Sequence, residues 1–344
     1  MNASAPSPAP DTAPNTAPDT APNTASDIRA DHWVLRLAPP SLRPYARLAR
    51  FDRPIGVWLL LFPGWWAIAL ADAAQSSAAQ SAAAVTSAAP SWFLYLLFGL
   101  GAVLMRSAGC TVNDILDRDY DAKVARTAER PLPSGEVSLA QASFFLLLLL
   151  LASFAILLQM NTLTIVVGCA SLLLVFPYPL MKRITYWPQL WLGLTFSWGA
   201  LLGWTAVTGA FGWPSLLLYL GGIAWTLGYD TVYAHQDKED DVLIGVKSTA
   251  LKLGAATKPW LLVFYGVALG LFGLAGAVAG LLWPFWIGLA AVALHLLWQV
   301  AALKMDTPQD CLAKFKSNRF VGWLFLAAVW AGSPWLHGWL GLAP

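Results

Sequence analysis

Two acid-rich segments stand out in a chain that is otherwise poor in charge, one over residues 113–137 and the other over residues 230–256. The first segment contains Asn113, Asp114, Asp117 and Asp121. On a helix that turns 100° per residue, the three aspartates project within about 60° of one another, and Asn113 lies about a quarter-turn away. One helix face is therefore predicted to present three carboxylates together.

The second segment has the same chemistry. Asp237 and Asp241 are one helical turn apart, and Asp230 precedes Asp237 by about two turns. Because neighbouring carboxylates repel one another, two such clusters require a compensating cation, and Mg²⁺ is the ion that a few carboxylates hold together with substrate phosphates. A solvated acidic surface is the alternative interpretation. The helical spacing of both clusters favours the metal.

A diphosphate that is bound through Mg²⁺ also needs direct contacts from cations. The sequence supplies Arg130 within Glu-Arg-Pro-Leu and Lys182 within Tyr-Pro-Leu-Met-Lys. Taken alone, each of these residues is typical of a charge that sets the orientation of a membrane protein. In combination with the two acidic clusters, they favour binding of a Mg²⁺-diphosphate.

The elements that must position these residues are apolar. The chain is 58% apolar and 12% charged, whereas an average soluble domain is roughly 25% charged. Stretches of about 20 mainly apolar residues span a bilayer as helices, and the sequence contains nine candidates. They are roughly residues 54–73, 91–112, 138–159, 161–177, 188–208, 213–230, 259–280, 283–303 and 320–342.

The distribution of basic residues supports this count, because cytoplasmic loops of membrane proteins collect Lys and Arg. All 21 Lys and Arg residues lie before the first candidate span or at or after the ends of the second, fourth, sixth and eighth. The loops after the first, third, fifth and seventh spans contain no basic residue. The sequence therefore predicts that the N-terminus and both acid-rich segments face the cytoplasm.

Other features of the sequence narrow the possible functions. The net charge is +2 and the basic residues form no continuous run, so a nucleic-acid partner is not expected. The three cysteines and four histidines are scattered, which does not predict a zinc site. Residues 1–30 repeat Ala-Pro-Asp-Thr and Ala-Pro-Asn-Thr, which is typical of a disordered tail and not of a signal peptide. No feature indicates a protein partner.

At these residues the sequence resembles the UbiA-type membrane prenyltransferases, and most closely their 4-hydroxybenzoate branch in ubiquinone synthesis. The two Asp-rich motifs of that family and its Tyr-x-x-x-Lys element are matched by Asn113, Asp114, Asp117 and Asp121, by Asp237 and Asp241, and by Tyr178 and Lys182. The Arg-Pro-Leu-x-Ser-Gly stretch that starts at Arg130 resembles the same branch. The resemblance covers about residues 45–342, which we expect to form one membrane domain.

The resemblance implies an all-α bundle of nine transmembrane helices around a central cavity, capped by the two acid-rich loops and open sideways to lipid. It implies roles for three sets of residues. The Mg²⁺ ligands are Asn113, Asp117, Asp121, Asp237 and Asp241. The residues that act on the diphosphate are Asp114, Arg130 and Lys182, together with the metal-binding acids. The remaining substrate-binding residues are Arg106 and Arg53 at an acceptor carboxylate, with Tyr178, Tyr233 and Asp240.

The implied reaction is Mg²⁺-dependent transfer of a polyprenyl group from polyprenyl diphosphate to the carbon ortho to the hydroxyl of 4-hydroxybenzoate, with release of diphosphate. Naphthoate, homogentisate, haem and a chlorophyllide are alternative acceptors. A CDP-alcohol phosphotransferase would need an Asp-Gly-x-x-Ala-Arg run, which the sequence lacks. A divalent-cation transporter would place carboxylates near the bilayer midplane, where the predicted spans have none. Because no amphipathic, Arg-rich presequence is evident, we expect a bacterial inner membrane.

Overall fold

The computed structural model describes residues 32–81, 91–123, 127–236, 238 and 245–341. Within these ranges all regular secondary structure is helical, which confirms the all-α class. The predicted tail over residues 1–30 lies outside the described residues, and so do Asp237, Asp240 and Asp241 of the second acidic cluster.

The helices are numbered in the order in which they occur along the chain. The N-terminal elements are α1 (Trp33–Leu37), a 3-10 turn (Pro40–Leu42) and α2 (Arg43–Leu48). The first half of the bundle consists of α3 (Ile55–Ser81), α4 (Trp92–Asp121), α5 (Leu139–Leu157), α6 (Thr162–Ala170), α7 (Leu172–Val175), α8 (Tyr178–Ile184), α9 (Pro188–Phe196) and α10 (Gly199–Thr208). The second half consists of α11 (Trp213–Gln236), α12 (Thr249–Leu253), α13 (Thr257–Val278), α14 (Pro284–Ala302), α15 (Pro308–Ala331) and α16 (Pro334–Trp339).

Each of the nine predicted spans coincides with a helix or with consecutive helices. Within the described ranges, seven segments are long and apolar enough to cross a membrane, namely 55–78, 92–121, 139–157, 162–184, 188–208, 249–278 and 284–302. Helices α11 and α15 do not meet that measure, so the count of nine is not confirmed. The last predicted span, 320–342, is wrong in its bounds, because α15 begins at Pro308 and ends before the Gly-Ser-Pro sequence at residues 332–334.

The outer surface of the bundle is apolar. On α5, the side chains of Phe144, Leu147 and Leu151 are each half exposed or more, and similar side chains cover α13 and α14. A contiguous apolar face of this extent would be unstable in water, whereas it is compatible with the hydrocarbon of a bilayer. The protein is therefore an integral membrane protein.

Aromatic side chains fill the core between α3, α11, α13 and α15. The ring of Trp66 lies 5.1 Å from that of Trp225 and 4.9 Å from that of Phe325, measured between centroids. The buried indole nitrogen of Trp66 donates a hydrogen bond of 2.9 Å to the carbonyl of Gly322, so its polar atom is satisfied. This packing fixes the position of α3 relative to α11, and both helices carry residues that line the central cavity.

Small residues bring α3 and α10 into close contact. A Cβ atom at Gly203 would lie 2.4 Å from the carbonyl oxygen of Gly64, so no larger residue fits at this crossing. Such contacts between glycines are a common way to pack helices in a membrane. The close approach places α9 and α10 beside α3 as one wall of the cavity.

Polar side chains define where two of the cavity helices begin. Asp72 accepts hydrogen bonds from the backbone nitrogen and the hydroxyl of Ser91, at 3.0 and 2.9 Å, just before α4 starts. Ser138 and Gln141 form a capping box at the start of α5. These contacts fix the start of α4 and hence the depth at which its acidic end emerges.

Helices α13 and α14 form an outer layer. Helix α13 packs on α11, and α14 packs on α15 and α13. Among the described residues, neither α13 nor α14 contributes a side chain to the wall of the central cavity.

Candidate active site

A central cavity of about 1140 Å³ is enclosed by α3 to α11 and by the first half of α15. Its polar end is formed where α3 begins and where α4 and α11 end, and it is lined by Arg50, Arg53, Asn113, Asp114, Arg130, Asp230, Gln236, Lys316 and Arg319. The remainder of the wall is mainly apolar, with Leu97, Phe98, Leu151, Phe154, Leu157, Leu172, Val175 and Leu202. The cavity therefore combines an ionic end with a long apolar wall.

Asp114 is the centre of a buried ionic cluster at the polar end. Its carboxylate is fully buried, and one oxygen accepts hydrogen bonds from Arg50 at 2.6 Å and from Arg130 at 3.4 Å. The same nitrogen of Arg130 donates to Asp121 at 2.7 Å. Because a buried carboxylate is costly without a partner charge, the two arginines stabilise its ionised form. The predicted residues Asp114, Asp121 and Arg130 are thus brought together.

Asp117, one turn from Asp114 on α4, points to α8. Its buried carboxylate pairs with Lys182 and accepts a 3.0 Å hydrogen bond from Arg183. The guanidinium of Arg183 also lies 4.6 Å above the ring of Tyr120. Asp117 and Lys182, predicted as a metal ligand and a phosphate contact, are therefore in direct contact with each other, although these two residues and Asp121 lie beside the cavity wall and not in it.

The donor set on α4 fits a hard divalent cation. Asn113, Asp117 and Asp121 present amide and carboxylate oxygens from one region of the helix, and Mg²⁺ prefers oxygen ligands of this kind. In the part of the chain that the structure describes, no three acidic, histidine or cysteine side chains converge on one point. The carboxylates of Asp117 and Asp121 face Lys182, Arg183 and Arg130 instead. The second acidic cluster, which would complete the set, falls in ranges that are not described.

Arg106 lies in the middle of α4 and lines the cavity. The predicted span 91–112 places this residue at the inner end of its helix, which is wrong, because α4 continues to Asp121. The Nε atom of Arg106 is buried without a hydrogen-bond partner, and the guanidinium lies 5.7 Å from the ring centroid of Phe196. Space for the guanidinium depends on Gly56, where a Cβ atom would lie 2.3 Å from Nε. Among the described residues no carboxylate pairs with this buried cation, which is therefore suited to bind an anionic group of a ligand.

The other predicted substrate-binding residues in the described ranges also line the cavity. Tyr178 and Tyr233 are both in its wall, and the Tyr233 ring lies 4.5 Å from that of Phe315. Arg53 lines it near the start of α3 and contacts Asp52 at 3.2 Å. Asp240 falls outside the described residues. The structure thus brings Arg53, Arg106, Tyr178 and Tyr233 to one cavity.

Sequence reasoning assigned no role in the site to Arg50 or Arg183. Each forms an ion pair with an aspartate of the first acidic cluster. The signal available in the sequence was proximity, since Arg50 precedes the Asp-Arg-Pro-Ile-Gly start of α3 and Arg183 follows Lys182. Proximity alone does not identify which carboxylate each one meets.

The chain matches the UbiA prenyltransferase family over residues 61–329. The protein belongs to this family. The match confirms the resemblance that the Asp-rich motifs indicated, and it covers the helices that carry Arg106, the first acidic cluster and Lys182.

Two relatives are identical to this chain at about half of the aligned positions. The mitochondrial 4-hydroxybenzoate polyprenyltransferase of Homo sapiens is 50% identical over 304 residues, which are 88% of this chain and 78% of the human protein. The protein of the same name from Arabidopsis thaliana is 48% identical over 307 residues, or 89% of this chain and 72% of its own length. Because both are named as mitochondrial, they give no support to the expectation of a bacterial inner membrane.

Solved structures share the fold. A UbiA homolog from Aeropyrum pernix K1 has a TM-score of 0.62 at 24% identity, covering 80% of this chain and 96% of that one. A UbiA homolog from Archaeoglobus fulgidus bound to GPP and Mg²⁺ has a TM-score of 0.55 at 16% identity, covering 84% and 98%. The helical bundle described above is therefore a UbiA-like membrane fold.

Proposed function

We propose that the protein transfers a polyprenyl group from polyprenyl diphosphate to the ring carbon ortho to the hydroxyl of 4-hydroxybenzoate, with release of diphosphate. The observation that carries this proposal is a single cavity that joins a cation-rich end, a long apolar wall and the buried guanidinium of Arg106. The activity named for the relatives at about 50% identity supports the same reaction and the same acceptor.

Mg²⁺ is proposed as the metal of this site, in keeping with the ion bound with GPP in the Archaeoglobus fulgidus homolog. The residues that would hold it are Asn113, Asp117 and Asp121 from α4, with Asp237 and Asp241 from the second cluster. When bound to the diphosphate, the ion would neutralise negative charge that develops on the leaving group.

The chain's own cations would bind and orient the diphosphate. Arg130 lines the cavity and is held by Asp114 and Asp121, so its guanidinium is fixed before a ligand arrives. Lys182 is in contact with Asp117 and is only one-third exposed. Preorganised cations of this kind would lower the barrier to breaking the allylic carbon–oxygen bond, because they need little reorganisation as charge develops on the leaving oxygen.

The apolar wall would hold the isoprenoid chain, and Arg106 would hold the acceptor. A carboxylate bound at Arg106, with Arg53 as a second cation in the same cavity, would fix the phenol ring against the end of the allylic chain. The electron-rich ortho carbon then forms the new bond to the prenyl carbon, and the proton on that ring carbon is lost. Tyr178, Tyr233 and Asp230 line the cavity and, with Asp240, are proposed to orient the phenol.

The bundle is proposed to cross the membrane nine times, with α11 and α15 added to the seven apolar segments. The basic residues at the ends of alternate spans would keep the N-terminus and the ionic end of the cavity on the cytoplasmic side. The long isoprenoid would then remain in hydrocarbon while its diphosphate reaches the ionic end.

The test is a prenyl-transfer assay in detergent or membranes, with polyprenyl diphosphate, radiolabelled 4-hydroxybenzoate and Mg²⁺, and with EDTA as the control. A lipid-soluble labelled product that forms only with Mg²⁺ supports the reaction, the acceptor and the metal together. Diphosphate release with a naphthoate or homogentisate, but not with 4-hydroxybenzoate, refutes the acceptor and keeps the reaction class. Absence of transfer to any aromatic acceptor refutes the reaction.

A further inference from the structure

Arg50 occupies a backbone position that normally belongs to glycine. Helix α2 ends in a Schellman motif, in which Arg50 N–H donates to the carbonyl of Arg47 at 3.0 Å and Phe51 N–H donates to that of Ala46 at 3.1 Å. The residue in the Arg50 position of this motif adopts the left-handed region, and Arg50 has a φ of 58°. No other non-glycine residue in the described ranges has a positive φ.

This conformation is unfavourable for a residue with a side chain, and glycine would relieve the cost. An unfavourable backbone that persists at a cavity suggests that the side chain has a use there. The Arg50 guanidinium is nearly buried, lines the polar end of the cavity and contacts the fully buried carboxylate of Asp114 at 2.6 Å. The turn at the end of α2 directs the side chain to that carboxylate.

The contact continues to Arg130, which is proposed to bind the diphosphate. The Asp114 oxygen that accepts from Arg50 also accepts from Arg130, and Arg130 donates in turn to Asp121. A small core of Leu48, Leu132 and their neighbours packs α2 directly against the segment that follows Arg130. Helix α2 therefore supports Arg130 from two sides, through Arg50 and Asp114 and through Leu48.

We propose that Arg50 is a positioning residue, which fixes Asp114 and through it holds the Arg130 guanidinium in the orientation that binds the diphosphate. Asp114 would accordingly serve to orient arginines, whereas Asp117 and Asp121 would serve the metal. The inference rests on the proposed function only for the diphosphate group and not for the acceptor.

The test uses the full chain in detergent, with inorganic pyrophosphate and Mg²⁺ as the probe. Pyrophosphate affinity is measured by calorimetry and by the shift of the thermal unfolding midpoint. Arg50→Gly is the decisive variant, because glycine satisfies the turn and removes only the side chain. We expect Arg50→Gly to remain folded and to bind pyrophosphate about ten- to hundredfold more weakly, as expected for loss of a charged hydrogen bond that orders the site.

Three further variants separate positioning from general damage. Arg50→Lys keeps the charge without the fork of donors and should recover part of the affinity. Asp114→Asn should lose pyrophosphate affinity to a similar extent. The double variant Arg50→Gly with Asp114→Asn should lose no more pyrophosphate affinity than the more strongly affected single variant, because both changes interrupt one chain of contacts. Arg47→Gln is the matched control from α2, because among the described residues the Arg47 side chain pairs with the exposed Glu136 and not with the aspartates of α4, so this variant should bind pyrophosphate normally.

Wild-type pyrophosphate affinity in Arg50→Gly overturns the proposal, and so does a double variant whose loss equals the product of the two single losses. If Arg50→Gly does not fold, Asp114→Asn decides alone, and normal pyrophosphate affinity in that variant overturns the proposal. A wild-type protein that does not bind pyrophosphate also overturns it. A wild-type protein that binds pyrophosphate but transfers no prenyl group refutes the proposed reaction and leaves the role of Arg50 intact.

Discussion

Arg106→Gln is predicted to weaken binding of the acceptor while leaving the fold and the diphosphate site intact. The guanidinium of Arg106 lies inside the cavity, its Nε atom has no hydrogen-bond partner, and no acidic partner is found for it in the described part of the chain. Removing the guanidinium therefore leaves no buried carboxylate without its counter-charge. An uncompensated partner charge is the usual reason why loss of a buried charge is destabilising. We expect a thermal unfolding midpoint close to that of the wild type.

The size of the effect follows from the contact that the guanidinium would make. A hydrogen bond to a charged group contributes about 1.5–3 kcal/mol. This free energy corresponds to a rise of about 10- to 150-fold in KM for 4-hydroxybenzoate. KM for polyprenyl diphosphate should change little, because its phosphate groups are proposed to contact Arg130 and Lys182.

The assay compares wild type and Arg106→Gln with two acceptors, 4-hydroxybenzoate and its neutral methyl ester. The wild type should prefer the acid by about the factor given above, and the variant should show almost no preference, because only the acid offers a carboxylate to Arg106. Arg106→Lys should retain part of the preference, since an ammonium cannot form the paired contacts of a guanidinium. If the variant prefers the acid as strongly as the wild type does, the carboxylate binds elsewhere and the reasoning is refuted.

Three further predictions follow from the same structure. Asp117→Ala should remove most prenyl transfer and weaken Mg²⁺ binding in calorimetry while the protein still inserts; normal Mg²⁺ affinity would exclude this residue as a ligand. Gly56→Ala should raise KM for 4-hydroxybenzoate by displacing the guanidinium of Arg106, whereas Gly270→Ala on α13, with no atom within 4 Å of its new Cβ, should be neutral; equal kinetics in both variants would contradict the steric argument. A hydrogen bond from the backbone N–H of Lys304 lowers the pKa of Asp310, so the ionised carboxylate stabilises the fold above its unfolded pKa and this stabilisation is lost as pH falls below about 4. Asp310→Asn should therefore reduce the decrease in thermal unfolding midpoint between pH 5 and pH 3. An unchanged decrease in the variant would refute the assignment.

The helical period was enough to predict that Asp114, Asp117 and Asp121 share a region of α4, because spacing along one helix fixes direction. It could not predict their partners. Asp114 meets Arg50, which is 64 residues away along the chain, and such a pairing depends on how α2 docks against α4. The all-α class and most span positions were predictable, since apolar runs and alternating basic loops are properties of local sequence.

The depth of Arg106 shows the limit of that local signal. Apolar content falls after residue 112, so the predicted span ends there, and Arg106 was expected near the membrane surface. The helix itself continues for nine more residues to Asp121, because the acidic face is paired with cations from the turn after α2, from α8 and from the loop after α4. Hydropathy predicts which residues lie in the lipid, whereas hydrogen bonds and ion pairs determine the residue at which the helix ends.

The outer position of α13 and α14 has a consequence for how the protein is made. A ribosome synthesises the helices that enclose most of the cavity, from α3 to α11, before it reaches residue 257, and α13 then packs against the outside of α11. During translation these helices are therefore complete before the outer layer that packs on them has been made. Substitutions of buried residues in these helices, such as Phe272 on α13 and Phe285 on α14, should accordingly lower the amount of protein that accumulates in the membrane, while the molecules that do assemble keep their normal substrate preference.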